Sequence, residues 1–103
     1  MKKIVFYVPV DAAIAVKESV FDAGAGKIGN YDKCCFETVG TGQFRPLEGS
    51  NPTIGNQNEV EQVEELRIET ICSDDKLSKV IESLRMSHPY EEPAIDVFEL
   101  VSF

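Results

Sequence analysis

The pattern of hydrophobic and polar positions divides the chain into four strand-like and two helical segments. β-Branched and aromatic residues are concentrated in residues 3–9, 33–39, 60–72 and 94–101, which predicts strands there. Residues 3–9 are apolar at both parities, as in a strand that is covered on both faces. The second half of 60–72 alternates apolar and charged residues, as in a half-buried antiparallel strand.

Two further stretches, residues 12–23 and 74–87, carry apolar residues at helical spacing and are predicted to be helices. Asp11 and Ser73 are placed to act as their N-caps, and Gly24 is placed to end the first helix at the left-handed C′ position. The apolar stripes consist of Ala13, Val16, Val20 and Ala23 in the first helix and of Leu77, Val80, Ile81 and Leu84 in the second.

The element order β-α-β-β-α-β predicts an α+β, ferredoxin-like sandwich with one antiparallel sheet and two helices on one face. We expect a single domain over residues 1–103, with an extended loop or arm at about residues 40–60. Gly40-Thr41-Gly42 is expected to interrupt the second strand, and a bulge is predicted near Gln62. Apolar residues on the open face of such a sheet predict a homo-oligomer, either a dimer or a trimer.

Composition excludes several classes of partner. The formal net charge of -8 argues against nucleic-acid binding and against binding to an anionic membrane surface, because both need clustered Lys and Arg. No apolar run approaches the roughly 20 residues of a membrane span, and the run after Lys3 is too short for a signal peptide. The three cysteines are an odd number without a C-x-x-C pair, so a cytoplasmic protein is predicted rather than a disulfide scaffold.

The segment His88-Pro89-Tyr90-Glu91-Glu92-Pro93 holds the only histidine of the chain on a backbone that two prolines stiffen. Imidazole and carboxylate groups suit a divalent metal, with His88 and Glu91 as the candidate ligands, Glu92 as a further one, and Cys34 or Cys72 completing the shell. The alternative is structural: His88 caps the second helix and fills the end of its apolar stripe, and the carboxylates are solvated or paired with Arg67 or Lys27.

A Gly-rich segment follows the first helix and is the second candidate site. Its backbone N–H groups suit a phosphate or carboxylate, although a helix C-cap followed by a turn explains the same residues. Both loops follow a helix and precede a strand, so we expect them to meet at one end of the sheet. The ligand-binding candidates are therefore Gly24, Gly26, Gly29, Tyr31, Cys34, His88, Tyr90, Glu91 and Glu92. Cys34 is also weighed as a nucleophile with His88 as its base, against a buried structural cysteine.

Several motifs together resemble one known family. Residues 24–34, 40–46, 65–69 and 88–94 resemble the insert domain of the NGG-interacting-factor-like family, whose members are often called GTP cyclohydrolase type two homologues. The resemblance covers essentially the whole chain and implies a fold similar to the PII and CutA proteins, with the tendency to assemble that those relatives show. In longer members this domain lies between two halves that carry a histidine-rich dinuclear metal site. The chain has neither half, as a free-standing version of the insert would, so the metal site is not implied.

These observations favour a non-catalytic, oligomeric binding or regulatory module that takes a small ligand or a divalent metal, without assigned catalytic residues. Two alternatives stay open at this stage. One is a metal-assisted hydrolase that acts on a phosphorylated small molecule. The other is a pure assembly domain, in which the motifs only shape loops and interfaces.

Overall fold

The structure is a computed structural model and describes residues 1–102. Short 3₁₀ turns lead into both helices, at Val10–Ala12 and Asp74–Lys76. The element order confirms the predicted βαββαβ arrangement. The strands are β1 (Lys2–Pro9), β2 (Phe36–Phe44), β3 (Glu61–Cys72) and β4 (Ile95–Glu99), and the helices are α1 (Ala13–Asp22) and α2 (Leu77–Ser87).

The sheet has the strand order β2-β3-β1-β4, and every neighbouring pair is antiparallel. The register pairs Lys2 with Cys72 and Pro9 with Glu65, so the start of β1 lies beside the end of β3. This is the predicted ferredoxin-like sandwich. Both helices pack on one face of the sheet, where the core combines alternate strand residues with the two helical stripes; its fully buried members include Ile4, Phe6, Val8, Val16, Val20, Ile68, Val80 and Leu84.

The helix ends differ in part from the predicted caps. Asp11 lies inside a 3₁₀ turn, and no side chain caps α1. Ser73 precedes the second 3₁₀ turn in extended conformation, also without a side-chain cap bond. Gly24 has a φ of 120°, and the Gly24 and Ala25 amides donate to the Phe21 and Val20 carbonyls, respectively. These two bonds form a Schellman motif, so the predicted glycine stop for α1 is confirmed.

The two bulges predicted for the central hairpin are wrong. β2 pairs continuously with β3, and Gly40 lies opposite Glu65, Gly42 opposite Val63 and Gln43 opposite Gln62. The glycines do not interrupt the pairing. Their missing side chains leave room on the sheet surface, where the Glu65 carboxylate lies over Gly42. Beyond the level of Pro9 the hairpin extends past β1 as a two-stranded arm.

The sheet face opposite the helices is called the open face here. Because paired residues in an antiparallel sheet point to the same side, this face carries Val5 and Tyr7 of β1 together with Glu65, Arg67 and Glu69 of β3. Across β2 it continues with Thr38, Gly40, Gly42 and Phe44. Among residues 1–102 no helix is both long and apolar enough to cross a membrane.

Candidate functional site

The two loops singled out from the sequence lie at opposite ends of the sheet. The Gly26 amide donates to the Ile71 carbonyl at 2.7 Å, near the end of β3. The His88 ring contacts the Tyr7 carbonyl at 2.6 Å, and Tyr7 pairs with Arg67. Ile71 lies four positions beyond Arg67 along β3, a distance of about 13 Å. The expected meeting of the loops is therefore wrong: α1 and α2 run in opposite directions, so their C-terminal ends face opposite ways.

Several amides of the Gly-rich segment donate to carbonyls within the domain. Those of Gly24 and Gly26 donate to Phe21 and Ile71, and Ile28 and Tyr31 exchange two backbone hydrogen bonds. Gly26, at a φ of 83°, has the Cys34 amide so close that a Cβ would lie 2.9 Å from its nitrogen. These contacts leave no cradle for an anion at those amides, and the helix C-cap followed by a turn is the reading that the geometry supports.

The remaining candidates at this end are separated from the histidine. Gly29 occupies the two-residue turn between Ile28 and Tyr31, and the Tyr31 side chain is 75% exposed. Cys34 is half-buried, and its carbonyl accepts a hydrogen bond from the Thr70 hydroxyl at 2.8 Å. Cys34 therefore stands near the Ile71 end of the sheet, and the nucleophile–base pair with His88 that the sequence suggested does not form.

His88 is buried, and backbone groups engage both of its ring nitrogens. The Tyr90 amide donates to Nδ1 at 3.1 Å, so Nδ1 is unprotonated and Nε2–H donates to the Tyr7 carbonyl at 2.6 Å. Burial lowers the pKa of His88 below its ordinary value, against smaller opposing effects of the Tyr7 carbonyl and Glu65. The neutral ring thus fixes the loop after α2 to the end of β1.

Tyr90 connects this loop to β3. Its hydroxyl donates to Glu65 Oε2 at 2.8 Å, and its ring lies 5.0 Å from that of His88 and 6.0 Å from that of Phe44, between centroids. Burial, together with the hydrogen bond to Glu65, raises the pKa of Tyr90 far above its ordinary value. Glu65 is 9% exposed, and its carboxylate lies over Gly42 on the open face.

The long connection between β2 and β3, residues 45–60, crosses the open face and is called the crossing loop here. Two hydrogen bonds fasten it to the loop after α2: the Asn51 amide donates to Glu91 Oε2 at 2.9 Å, and the Thr53 hydroxyl donates to the Pro89 carbonyl at 2.5 Å. The Asn58 amide closes the base of the crossing loop on the Pro46 carbonyl at 2.7 Å. The predicted candidate Glu91 thereby gains a structural partner.

Beneath the crossing loop lies a groove of about 750 Å³, called the sheet-face groove here. Its floor is the glycine-containing part of β2, its walls are the aromatic rings of Tyr7, Phe44 and Tyr90, and its charged groups include Glu65, Arg67, Glu91 and Glu92. The sequence reasoning found the last two and Tyr90. It did not place Glu65, Arg67 or Tyr7 in the site, although residues 65–69 belong to the motifs that resemble the family.

The predicted metal pair meets a physical obstacle at His88. A metal on this ring would have to displace either the Tyr90 amide or the Tyr7 carbonyl. Within the described part of the chain, no three His, Cys, Asp or Glu side chains are grouped so that they could hold a metal ion. The Glu91 carboxylate accepts the Asn51 amide.

Comparison with known proteins shows which proteins this chain is similar to. No family model matches the chain. The GTP cyclohydrolase 1 type 2 homolog of Halalkalibacterium halodurans is 49% identical over 100 residues, which are 97% of this chain and 27% of that protein. The homolog of Bacillus subtilis is 42% identical over 98 residues, 95% of this chain and 26% of that protein.

The solved structures agree. A Bacillus cereus protein related to NIF3, of the NGG-interacting-factor family, superposes with a TM-score of 0.84 at 46% identity, covering 98% of this chain and 26% of its own. This chain is homologous to about a quarter of these longer proteins. The resemblance to the NGG-interacting-factor-like family is thus confirmed. CutA1 of Pyrococcus horikoshii shares the fold, with a TM-score of 0.71 at 16% identity over 100% of this chain and 86% of CutA1.

Proposed function

We propose that this NGG-interacting-factor-like chain is a non-catalytic binding module that takes a small organic molecule in the sheet-face groove. The groove, at about 750 Å³, has the size of a small-molecule site and combines aromatic walls with a few convergent polar groups. The Gly-rich end of the domain, proposed from the sequence as part of the same site, then serves to end α1 and start β2.

One observation supports this proposal more than any other: the two hydrogen bonds from Asn51 and Thr53 hold the crossing loop over the groove. The crossing loop has no regular secondary structure and contributes nothing to the hydrophobic core. Hydrogen bonds that hold such a loop across the open face therefore favour a binding role for it. Binding is favoured over catalysis because the chain's one histidine has both ring nitrogens bonded to the backbone.

The names of the relatives suggest two ligands to include in the test. GTP enters from the GTP cyclohydrolase 1 type 2 homologs and divalent cations from the CutA proteins, one of which is called a divalent cation tolerance protein. The three carboxylates of the groove outnumber its two arginines, Arg45 and Arg67, so a triphosphate faces net repulsion there on a chain of net charge -8. The proposal therefore predicts that neutral or amine-bearing compounds bind in preference to GTP.

A ligand screen by ¹⁵N NMR tests the proposal, with amide shifts of Gly40, Gly42 and Arg67 as the readout. The screen uses small compounds of neutral, cationic, anionic and zwitterionic type together with GTP, ZnCl₂ and CuCl₂. Saturable shifts confined to the groove support a binding module. Silence of the groove across the panel, or hydrolysis of GTP by the purified protein, would contradict it.

The role of the crossing loop is tested with a matched pair of acidic residues. Glu91→Ala removes the acceptor of the Asn51 amide, whereas Glu92 accepts no hydrogen bond within the described chain and Glu92→Ala is the control. We expect faster hydrogen exchange across residues 50–54 in Glu91→Ala only. Equal behaviour of both variants would show that the loop is not held by Glu91.

Self-association is proposed alongside binding, with a second copy of the chain as the partner. β2 is an edge strand nine residues long, and Phe36 and Phe98 stand 68% and 51% exposed on the open face. Long edges and exposed aromatic rings favour pairing with another copy. Light scattering coupled to gel filtration tests this: a dimer or trimer that dissociates in Phe36→Ser supports it, and a monomer at all concentrations overturns it.

The three free thiols support a reducing, cytoplasmic location.

A further inference from the structure

We propose that the ligand of the sheet-face groove is a small zwitterion, with its ammonium group on Glu65, its acid group on Arg67 and an apolar or aromatic body between the rings. This inference rests on the proposed binding function and adds the chemical class of the ligand. A free α-amino acid with an aromatic side chain is the simplest molecule of this class.

The first support is the unused oxygen of Glu65. The side chain is 91% buried, and Oε2 accepts the Tyr90 hydroxyl. Oε1 accepts no hydrogen bond from any residue in 1–102. Because every fully buried polar side-chain atom in this range has a partner, Oε1 is not fully buried and opens into the groove. An ammonium N–H placed in the groove can donate a charge-assisted hydrogen bond to this open oxygen.

The second support is the position of Arg67. It lies two residues beyond Glu65 on the same face of β3, which places the two Cα atoms about 7 Å apart. Its guanidinium lies 6.0 Å from the Tyr7 ring centroid, and its one ion pair in the described chain joins Nε to Glu69 at a loose 3.7 Å. The terminal nitrogens stay available for the planar, two-point contact that a carboxylate makes with arginine.

The third support is the room beside these two charges. Gly40, the strand partner of Glu65, has no atom within 4 Å of where a Cβ would be, so the floor there is open. Phe44 and Tyr90 flank this space on one side and Tyr7 on the other. An apolar body fits between such rings, whereas a polyanion is disfavoured because the three carboxylates of the groove outnumber its two arginines, Arg45 and Arg67.

Three matched probes distinguish the two ends of the ligand: L-phenylalanine, phenethylamine without the acid group and 3-phenylpropionate without the amine. Titrations followed by groove amide shifts are expected to show that L-phenylalanine binds about 10-fold or more tightly than either analogue, since each analogue loses one charge-assisted bond. Equal affinities for all three would overturn the zwitterion assignment.

Two variants test the assigned contacts one at a time. Glu65→Gln is expected to weaken L-phenylalanine and phenethylamine about 10-fold without weakening 3-phenylpropionate. Arg67→Gln, at a half-exposed position, is expected to weaken L-phenylalanine and 3-phenylpropionate and to spare phenethylamine. Glu64→Gln and Arg85→Gln remove the same charges from exposed positions outside the groove and serve as controls.

The outcomes separate this inference from the function on which it rests. Groove shifts with anionic or neutral compounds but none with zwitterions leave the binding module standing and overturn the ligand class. A groove that responds to no compound overturns both. Loss of L-phenylalanine binding in Arg67→Gln with retention in Arg85→Gln supports the assignment even where Glu65→Gln is poorly folded.

Discussion

The carboxylate of Glu65 lies directly over Gly42, so that a Cβ at position 42 would overlap its Oε1 and Cδ atoms. Glycine at position 42 therefore makes room for the side chain of Glu65 on β3. It does not bend β2. The Tyr90 hydroxyl donates to Oε2, the other oxygen of the same carboxylate.

Gly42→Ala is expected to destabilise the protein by about 1–3 kcal/mol, because the added methyl group displaces a buried carboxylate. Gly40→Ala is the control, since a Cβ there meets nothing within 4 Å, and it is expected to be neutral or to stabilise by about 0.5–1 kcal/mol. Urea unfolding measures both. A Glu65→Ala background should abolish most of the Gly42→Ala cost, and a cost that persists there would point to the strand itself.

Tyr90→Phe leaves Glu65 Oε2 without its donor and is expected to cost about 1–3 kcal/mol in the free energy of unfolding. Tyr31→Phe, at a side chain 75% exposed, should change it by less than about 0.5 kcal/mol. Absorbance at alkaline pH gives an independent readout, because burial and Glu65 raise the pKa of Tyr90. Tyr90 should ionise at a higher pH in the folded protein than in urea. Ionisation at the same pH in both states would contradict its burial.

His88 predicts a loss of stability in acid. Since the folded-state pKa of His88 is lowered from 6.5, the unfolded chain binds the extra proton more readily, and the free energy of unfolding falls as the pH drops below about 6.5. The proton would enter at Nδ1, where it meets the Tyr90 amide. Denaturant curves between pH 8 and 5 should show this slope, and it should flatten in His88→Gln. An identical slope in the variant would assign the effect to carboxylates.

Substitutions at Gly26 and Gly29 distinguish the cost of close packing from the cost of backbone strain. Both have positive φ, 83° and 55°, but only at Gly26 would a Cβ lie 2.9 Å from the Cys34 amide nitrogen and the Phe21 ring. Alanine at either position costs about 1 kcal/mol or more of strain, and Gly26→Ala adds about 1–3 kcal/mol of overpacking. Thermal unfolding compares the two. If Gly29→Ala proves the more damaging, the structural reading of the Gly-rich segment fails.

The sequence determined the fold in nearly all respects. The helical stripes of α1 and α2, the β-branched strands and the order of elements lead to the ferredoxin-like sandwich without further information, because local periodicity and burial agree. Gly24 is an example at a single residue: a glycine directly after an apolar stripe stops a helix wherever the helix lies.

Tertiary structure alone decided which residues form the site. Whether the loops after the two helices meet depends on strand direction, and the antiparallel pairing of β1 with β3 puts His88 and Gly26 at opposite ends. His88 looked like a ligand, but its ring nitrogens are bonded to backbone groups 81 and two residues away in the chain.

Glu65 and Arg67 read as ordinary charges on a half-exposed strand. They become candidates for binding only because Gly40 and Gly42 of β2 clear the space beside them and the crossing loop covers it. Periodicity along one strand tells which side chains share a face. The contents of that face across four strands depend on register, which long-range packing sets.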